Sequence, residues 1–375
     1  MTVTPGIQAT LLRYQHEIQQ ALRQAVQRCS VNRLPTQAAD LDYFYGQMQY
    51  HLGWVDSSLT PIPINPGKLL RPTLLLLAFE AAGAWEIPGT SPGSIDYLQR
   101  ALPAAAAIEL THNFTLIHDD IVDNDTERHH QPTLWTIWGT SQGINTGDGM
   151  FAMARLALWD VLQEGVDGAI AARLGATLDR ACLVIAEGQY LDLNFERRDD
   201  ISVAMYVDMI SRKTAALMSC ATEMGGLLGT RVTATIESLR TFGFEIGIAF
   251  QVRDDVLGVW ASAAQLGKTS AGDLYRRKRS LPILHALEHA STQDQQLLRR
   301  LYQQETALTE EEVATVLAIF TRTHTREYCL DFLNQQCIRA RQALHNVPHL
   351  DNLIAARARR DMEALVHFVE EAMRT

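Results

Sequence analysis

The segment ALPAAAAIELTHNFTLIHDDIVDND, residues 101–125, decides the fold class of this chain. Its apolar residues recur at spacings of three and four from Leu102 to Ile121, a pattern that predicts a buried α-helix. The helix ends in clustered acids. Asp119 and Asp123 lie four residues apart and share one helix face, where like charges cost about 0.2–0.5 kcal/mol per pair. Bound Mg²⁺ would remove that cost, because it typically takes one or two protein carboxylates and fills its remaining positions with water and phosphate oxygens.

A second acid pair, Asp254-Asp255, follows a similar apolar segment, residues 244–253. Helix stability gives no reason for two apolar helices to end in clustered carboxylates. The sequence therefore predicts two carboxylate patches that face each other across a cavity and bind a phosphorylated substrate through metal ions. A solvated helix end is the alternative for the first cluster, and the second acid pair argues against it.

Helical periodicity dominates the rest of the chain. Residues 225–250 continue the same spacing, with small residues that allow close helix packing. Thr309 and Glu312 are the two ends of a capping box, which predicts a helix through Phe320. Alternating patterns of period two, typical of strands, are scarce. Breaks rich in Pro, Gly or charge predict loops at 61–67, 88–93, 197–200 and 261–272.

These patterns predict an all-α protein with a single large helical domain. We assign residues 1–55 to peripheral N-terminal helices and residues 56–375 to the domain that carries both acid clusters. Of the 375 residues, 47% are hydrophobic, so the chain can bury a large core. Its formal net charge of −10 argues against nucleic-acid binding, which needs clustered Lys and Arg.

Cysteine usage and the N-terminus bear on location. The five cysteines are scattered and form no CxxC pair, so we expect neither a disulfide framework nor a zinc site, and a reducing cytoplasm is the simplest location. The first residues lack the charged and apolar regions of a secretory signal. No window of 18 residues is apolar and uncharged, so we expect no transmembrane helix.

Basic residues flank the first acid cluster. Lys68, Arg71, His112 and Arg128 have the chemistry to bind diphosphate oxygens, and arginine offers a bidentate fork. Two alternatives stay open at this point. Lys68 and Arg71 also fit a solvated helix start, and His112 also fits a hydrogen-bonded core histidine.

Polar residues also accompany the second acid pair: Lys213, Thr214, Gln251, Lys268 and Asp273. The basic run at 276–279 fits a solvated helix start, and we favour that interpretation for its three arginines. Gly188-Gln189 with Asp192 marks a polar site in an otherwise apolar helix. Because a buried glutamine must find partners, a structural role is open there.

The order of these residues resembles the trans-type isoprenyl diphosphate synthases, or polyprenyl synthetases, and among them the geranylgeranyl diphosphate synthases most. The resemblance covers residues 55–290, and an ordered series of this length is far more specific than a lone DDxxD. The shared pieces are Gly67-Lys68-x-x-Arg71-Pro72, His112, Asp119-Asp120-x-x-Asp123, Arg128, Pro132-Thr133, Gly147-Asp148, Gly188-Gln189, Lys213-Thr214, Phe250-Gln251-x-x-Asp254-Asp255, Gly267-Lys268 and Asp273.

The resemblance implies helices around a deep central cavity, usually in a homodimer, and a reaction that joins isopentenyl diphosphate to an allylic diphosphate. It implies that Mg²⁺ ions are held by Asp119, Asp123 and Asp254. Asp120 and Asp255 would be outer or weaker ligands. It also implies that the allylic diphosphate is contacted by Arg128, Lys213 and Lys268, with catalytic support from Thr214 and Gln251. Isopentenyl diphosphate would be bound by Lys68, Arg71 and His112.

Three positions depart from the family pattern. Gly258 stands where the second motif often has a third acid. His129 follows Arg128 where the family commonly has a second arginine, which weakens the predicted isopentenyl diphosphate site. Leu69 stands where a base is common.

Product length is predicted from Phe114. This residue lies five positions before Asp119, about 7.5 Å along a helix axis. In the family, an aromatic residue there blocks the cavity in which the product grows. Thr115 is small and no residue is inserted between Asp120 and Asp123, so the pattern resembles enzymes that make a C20 product. The alternative is that Phe114 is only a core residue.

Three other functions compete with a transferase. A class I terpene cyclase or diphosphate lyase would keep both acid motifs and lose the isopentenyl diphosphate site, yet Lys68, Arg71 and His112 are all present. A non-catalytic helical partner subunit would not need the complete set of acids. A His-Asp phosphohydrolase, suggested by His118-Asp119, leaves the second acid pair unexplained.

Overall fold

The computed structural model describes residues 5–31, 38–63, 67–84, 95–129, 131–196, 198–261, 271–304 and 306–371. Across these residues the chain forms sixteen α-helices and one small sheet, which confirms the predicted all-α class. In chain order, α1 to α16 span Pro5–Val31, Ala38–His51, Leu70–Ala81, Leu102–Val122, Leu134–Trp138, Thr140–Trp159, Gly168–Phe195, Val203–Ile210, Ala216–Gly229, Thr233–Trp260, Gly272–Tyr275, Leu281–His289, Thr292–Tyr302, Glu310–Arg322, Thr325–His345 and Leu353–Glu370.

Shorter elements connect some of these helices. Strand β1, Glu127–Arg128, follows α4 and pairs antiparallel with β2, Gln131–Pro132. A π-helical turn, Ser211–Ala215, joins α8 to α9. Two 3₁₀ segments are present: Ile95–Arg100 precedes α4, and Asp160–Leu162 follows α6.

The centre of the fold is formed by α3, α4, α9 and α10. Residues 74–77 of α3 are four leucines with almost no exposed surface. Glycine lets α9 lie directly on α3, because a Cβ atom at Gly225 would overlap the carbonyl oxygen of Leu75. Gly243 does the same for α10 against α9, where a Cβ atom would overlap Thr222. Close packing of this kind holds α3, which carries Arg71 in its first turn, against the interior.

The first and last helices meet α3 at a buried carboxylate. Glu80 has no exposed surface and accepts hydrogen bonds from Tyr14 of α1 at 2.9 Å, Tyr97 at 2.6 Å and Arg357 of α16 at 3.1 Å. A buried charge is tolerated when it is paired and hydrogen-bonded in this way. The boundary at residue 55 between peripheral helices and the main domain stays a prediction.

Local sequence patterns predicted the helices, but they did not predict every interruption between helices. The helix predicted from Leu102 onward is α4, and Thr309 and Glu312 form the capping box that opens α14. The periodic stretch at 225–250 is interrupted, since α9 ends at Gly229 and α10 begins at Thr233. The chain reverses there through extended residues so that α10 packs back along α9. Both helices bury an apolar face, so the hydrophobic spacing continues across the reversal.

Some predicted features lie outside the described residues, namely the loop at 88–93 and most of the loop at 261–272. Among the helices that the structure describes, none combines the length and the hydropathy needed to cross a membrane.

Candidate active site

The first acid patch lies where α4 ends. Asp119 is in the last turn of the helix and Asp123 is its C-cap residue, so both carboxyl groups leave the same end. Burial raises the pKa of Asp119 to about 6 against the opposing charge of Lys213, and the neighbouring Asp123 contributes to that rise. Burial also raises the pKa of Asp123. No hydrogen bond joins either carboxylate to another residue that the structure describes, and the positive charges that act on both are those of Lys213 and Arg128.

A lysine and a third acid complete this patch. Lys213 Nζ donates to Asp192 Oδ2 at 2.6 Å. Burial acts to lower the pKa of Lys213, but Asp119 and Asp192 outweigh it and raise that pKa. The lysine lies in the π-helical turn, and π-helical turns are frequent at functional sites. Helix α7 can approach this turn closely because Gly188 has no side chain. A Cβ atom at that position would overlap the Lys213 backbone.

The sequence predicted a polar site around Asp192 in an apolar helix, but it did not predict that Asp192 belongs to the first acid patch. The structure places it beside Asp119 and Asp123, since it contributes to the raised pKa values of both. Its spacing from Gly188 within α7 was the available signal. Only tertiary packing shows that it faces the end of α4.

Asp120 faces the opposite way from its neighbours. Its side chain is only 2% exposed, and Oδ1 accepts hydrogen bonds from Arg128 Nε and Nη2, both at 2.6 Å. Its other oxygen, Oδ2, is buried with no hydrogen-bond partner among the described residues. Asp120 therefore anchors Arg128 of β1 and keeps one oxygen available to a further donor or cation.

A cationic cluster adjoins the first patch. Arg71 Nη1 and His112 Nε2 are 3.1 Å apart. Arginine can only donate, so His112 accepts through Nε2 and its imidazole is neutral. Burial and the charge of Arg71 hold the pKa of His112 well below its ordinary value, with further contributions from His51 and Arg128. The open alternative for His112, a hydrogen-bonded buried histidine, and the proposed binding role are both compatible with this geometry.

His51, at the end of α2, was not singled out by the sequence analysis. Burial lowers its pKa to about 3, and Arg128 and His129 act in the same direction. Burial also lowers the pKa of Lys68, while Asp254 opposes the effect. The cationic cluster therefore consists of Lys68, Arg71 and the two neutral histidines His51 and His112. Arg71 carries its permanent positive charge, and Asp254 of the second acid patch acts on both Lys68 and Arg71.

The second acid patch is built differently. Asp255 has no exposed surface and accepts from Tyr206 Oη at 2.6 Å, Gln251 Nε2 at 3.2 Å, Lys278 Nζ at 3.4 Å and the Leu281 amide at 3.4 Å. These four bonds use both of its oxygens. The sequence did not indicate Tyr206, because its contact joins α8 to α10, whereas Lys278 belongs to the basic run whose three arginines alone were assigned to a solvated helix start.

Asp254 is the accessible member of this patch. Its side chain is 47% exposed and lies 3.4 Å from Arg253. Burial nevertheless raises the pKa of Asp254, while Arg253 opposes that rise. Asp254 also influences Lys68 and Arg71 of the cationic cluster.

Contacts across the interior link the two patches. Thr214, next to Lys213, donates to Gln251 at 3.1 Å, and Gln251 in turn donates to Asp255. The pKa of Tyr206 is raised well above normal by burial and by Asp255, with a contribution from Asp192 of the first patch. Both patches therefore line one interior region. Lys268 lies outside the described residues.

The structure also places Phe114 and Gly258. The half-buried ring of Phe114 lies edge-on to Phe151 at 5.0 Å and to His118 at 6.0 Å. At Gly258 a Cβ atom would overlap the carboxylate of Asp273, which also forms an ion pair with Lys278. The position where the family often has a third acid is therefore filled from another segment.

A family model described as polyprenyl synthetase matches residues 53–320. The chain belongs to the polyprenyl synthetase family. Among curated relatives, the (2E,6E)-farnesyl diphosphate synthase of Mycobacterium bovis is 38% identical over 250 residues, which are 67% of this chain and 65% of that relative. The chain thus spans slightly less than two thirds of that relative. The geranylgeranyl diphosphate synthase of Mycobacterium tuberculosis is 35% identical over 294 residues, 78% of this chain and 79% of the relative.

Solved structures agree with the polyprenyl synthetase assignment. A polyprenyl synthetase from Streptomyces coelicolor superposes with a TM-score of 0.81 and 33% identity, covering 97% of this chain and 99% of that one. A polyprenyl synthase from Caulobacter crescentus, complexed with calcium and isoprenyl diphosphate, gives a TM-score of 0.70 at 25% identity, covering 96% of this chain and 97% of that one.

The carboxylate oxygens of the two acid patches are the type of ligand that a hard divalent cation prefers. Among the described residues, no three His, Cys, Asp or Glu side chains stand close enough to hold an ion by themselves. Mg²⁺ does not need such a cage, because it usually combines one or two carboxylates with water and substrate phosphate oxygens. The desolvated pair Asp119 and Asp123 provides that kind of oxygen-only ligand set.

Proposed function

We propose that this chain is a Mg²⁺-dependent prenyltransferase that condenses isopentenyl diphosphate with an allylic diphosphate to a linear all-trans prenyl diphosphate. One observation carries the proposal: two carboxylate patches and a separate cationic cluster line the same interior region. A metal-bridged diphosphate and a second, directly bound diphosphate would need these two kinds of site. The names of the relatives and the isoprenyl diphosphate in the Caulobacter structure support the same substrates.

Asp119, Asp123 and Asp254 are the proposed Mg²⁺ ligands. When bound, the ions would stabilise the negative charge that develops on the departing diphosphate. Lys213 is held charged by Asp119 and Asp192, so it is suited to bind the same allylic diphosphate. Arg128 and Lys268 are proposed to share that role.

The cationic cluster is the proposed site for isopentenyl diphosphate. Lys68 and Arg71 supply positive charge, and His112 lies within hydrogen-bond distance of Arg71. Asp254 lies near both bases and connects this site electrostatically to the second acid patch. His129 is proposed to contribute from the end of β1.

Thr214 and Gln251 are proposed to keep the two halves of the site in register. Their hydrogen bond joins the turn that carries Lys213 to the helix that carries Asp254 and Asp255. The chemistry needs no protein nucleophile, since ionisation of the allylic substrate produces the electrophile. Exclusion of water from the region around the allylic substrate would protect that cation.

We propose a C20 product, geranylgeranyl diphosphate, with Phe114 as the residue that limits chain growth. Phe114 lies five residues before Asp119, about 7.5 Å along the axis of α4. Relatives named both farnesyl and geranylgeranyl diphosphate synthases are similar to the chain, so the product must be measured.

We also propose a homodimer through α6 and α7. Large apolar side chains on these helices are exposed in the isolated chain: Ile144 at 47%, Leu156 at 58%, Trp159 at 47%, Leu183 at 63% and Tyr190 at 68%. A second copy of the same chain would cover this face, because apolar area of this extent marks an interaction surface. Sedimentation velocity at increasing protein concentration would test the assembly.

One assay tests the activity against the cyclase alternative. The protein is incubated with labelled isopentenyl diphosphate and allylic primers of several lengths, with Mg²⁺ or with chelator. A transferase incorporates label into a longer diphosphate only when Mg²⁺ is present. A cyclase or lyase would instead release diphosphate from the allylic substrate and leave the labelled isopentenyl diphosphate unused.

A further inference from the structure

The last helix, α16, reaches the second acid patch at Arg253, the residue directly before Asp254. From this contact we infer that Arg253 is a positioning residue for Asp254, and that Phe368 of α16 holds the Arg253 guanidinium in place through its ring. The inference rests on the proposed function and deepens it, because it concerns how one proposed Mg²⁺ ligand keeps its orientation.

Helix α16 packs along α3 in the opposite direction. Near its start, Arg357 donates to Glu80, which lies near the end of α3, at 3.1 Å. Near its end, Phe368 contacts Arg253, whose charge acts on Lys68 just before α3. About 16.5 Å of helix separates Arg357 from Phe368, and about 15 Å separates Glu80 from the first residue of α3. The end of α16 therefore lies level with the start of α3, beside the cationic cluster.

Helix α10 presents Phe250 and Arg253 to α16, because residues three apart share one helix face. The guanidinium carbon of Arg253 is 4.4 Å from the centre of the Phe368 ring and 5.9 Å from the centre of the Phe250 ring. The centres of the two rings are 6.1 Å apart. Since the Arg253 side chain is only 7% exposed, these cation–π contacts are desolvated and restrict the guanidinium.

The restricted guanidinium is in turn a fixed neighbour for Asp254. Arg253 Nη1 donates to Asp254 Oδ1 at 3.4 Å. Among the described residues, Oδ2 of Asp254 accepts no hydrogen bond. Arg253 therefore engages one carboxylate oxygen and directs the other away from α16, toward the region that the two acid patches line.

Asp254 depends on this contact more than its neighbour depends on any single one. Asp255 is held by four hydrogen bonds, whereas the side chain of Asp254 is half exposed and has Arg253 beside it. A metal ligand that loses the group that orients it typically loses metal affinity by about 10–100-fold. The packing of α16 against α10 is therefore part of the proposed metal site.

Two roles for Arg253 predict opposite changes in Mg²⁺ affinity. A cation that is only nearby repels Mg²⁺, so removal of its charge would tighten binding. A cation that orients Asp254 improves the ligand, so its removal would weaken binding. Changes at Phe368 separate the two roles further, because they disturb the guanidinium without altering any charge.

The experiment measures Mg²⁺ affinity by calorimetry in the presence of inorganic diphosphate, for wild type, Arg253→Met, Arg253→Lys, Phe368→Leu and Phe368→Tyr. Phe320→Leu is the matched control, because Phe320 is equally buried and also packs against α10, but at Trp260, with ring centres 5.9 Å apart. A melting curve is recorded for each protein without ligand. Turnover with isopentenyl diphosphate and an allylic primer is measured across a Mg²⁺ series.

We expect Phe368→Leu to weaken Mg²⁺ binding by about 10-fold and Arg253→Met by about 10–100-fold. Phe368→Tyr keeps the ring and should bind as wild type does. Arg253→Lys should stay weaker than wild type, because an ammonium group lacks the planar surface that stacks on the ring. Higher Mg²⁺ should restore turnover of Phe368→Leu, which a general packing defect would not allow. Phe320→Leu should change only the melting temperature.

Three results would overturn the inference. The first is tighter Mg²⁺ binding by Arg253→Met. The second is unchanged Mg²⁺ affinity in a folded Phe368→Leu variant, which decides the question even if Arg253→Met fails to fold. The third is an equal loss of diphosphate binding by Arg253→Met with and without Mg²⁺, because Arg253 would then be a direct phosphate ligand.

Failure of the proposed function would look different. A wild type that binds Mg²⁺ and diphosphate, yet joins no isopentenyl diphosphate to any primer, would overturn the transferase activity. The order of Mg²⁺ affinities among the Arg253 and Phe368 variants would still decide whether α16 positions Asp254.

Discussion

In the first acid patch, Asp119 and Asp123 have no hydrogen-bonded partner among the described residues, whereas in the second patch Asp255 accepts four hydrogen bonds and has no exposed surface. The sequence presents the two clusters as equivalents, each a pair of acids at the end of an apolar segment. Their surroundings differ because α4 ends at the interior region, while Asp255 is enclosed by α8, α10 and α12.

This difference separates a site that is suited to bind cations from one that holds the structure together. A carboxylate whose oxygens already accept hydrogen bonds has little capacity for a metal. A desolvated pair without partners has full capacity, at the expense of mutual repulsion in the metal-free protein. Within the second patch, only the 47% exposed Asp254 resembles the members of the first.

The largest expected effect is on turnover in the first patch. Asp119→Asn should lower kcat by about 10²–10³-fold, the range for loss of one group that stabilises transition-state charge. Asp125→Asn is the matched control, since it removes a charge from the same segment but not from the proposed ligand set, and it should change kcat only slightly. Steady-state kinetics across a Mg²⁺ series would measure both. Near-normal turnover for Asp119→Asn would remove the metal role from this patch.

The next effect is on stability, and it should have opposite signs in the two patches. Asp255→Ala should lower the free energy of unfolding by about 1–3 kcal/mol for each buried donor that it leaves unpaired, namely the Tyr206 hydroxyl and the Leu281 amide. Asp119→Ala should leave that free energy unchanged or raise it, since it relieves repulsion. Urea denaturation of the metal-free proteins gives both values. Equal losses in the free energy of unfolding for Asp255→Ala and Asp119→Ala would contradict the proposed difference between the two acid patches.

A smaller stability effect is expected at Gly258. Restoring the family pattern with Gly258→Asp should destabilise the protein by about 1–3 kcal/mol, the usual range for overpacking, because the new side chain must displace Asp273. It should also weaken the contact between Asp273 and Lys278. Gly258→Ala serves as the comparison without added charge. A stable Gly258→Asp variant with higher turnover would show that Asp273 does not replace the missing acid.

The last expected effect is a pH dependence of stability in the metal-free protein. The folded-state pKa of Asp119 is raised to about 6, against an unfolded value of about 3.9. Between these values the folded state keeps a proton that the unfolded state has lost, so stability should fall as the pH rises from about 4 to about 6. Asp119→Asn should flatten this slope, as denaturation curves across that window would show. An unchanged slope would mean that Asp119 is not desolvated as described.

Much of this molecule was predictable from local patterns. Hydrophobic spacing predicted α4, and the Thr309–Glu312 capping box predicted the start of α14, because both signals act within a few residues of each other. The order of Lys, Arg, His and Asp motifs predicted the family. The shared face of Asp119 and Asp123 also followed directly from helix geometry.

Long-range packing decided the rest. No sequence spacing indicates that Asp192 of α7 meets Lys213, that His51 joins His112, or that Asp273 fills the space at Gly258. The division of residues 225–250 into α9 and α10 was hidden for the same reason, since the apolar period is identical on both sides of the reversal. Periodicity determines which residues share one helix face, whereas the distance between faces depends on how separate helices cross and on the volumes of the side chains between them.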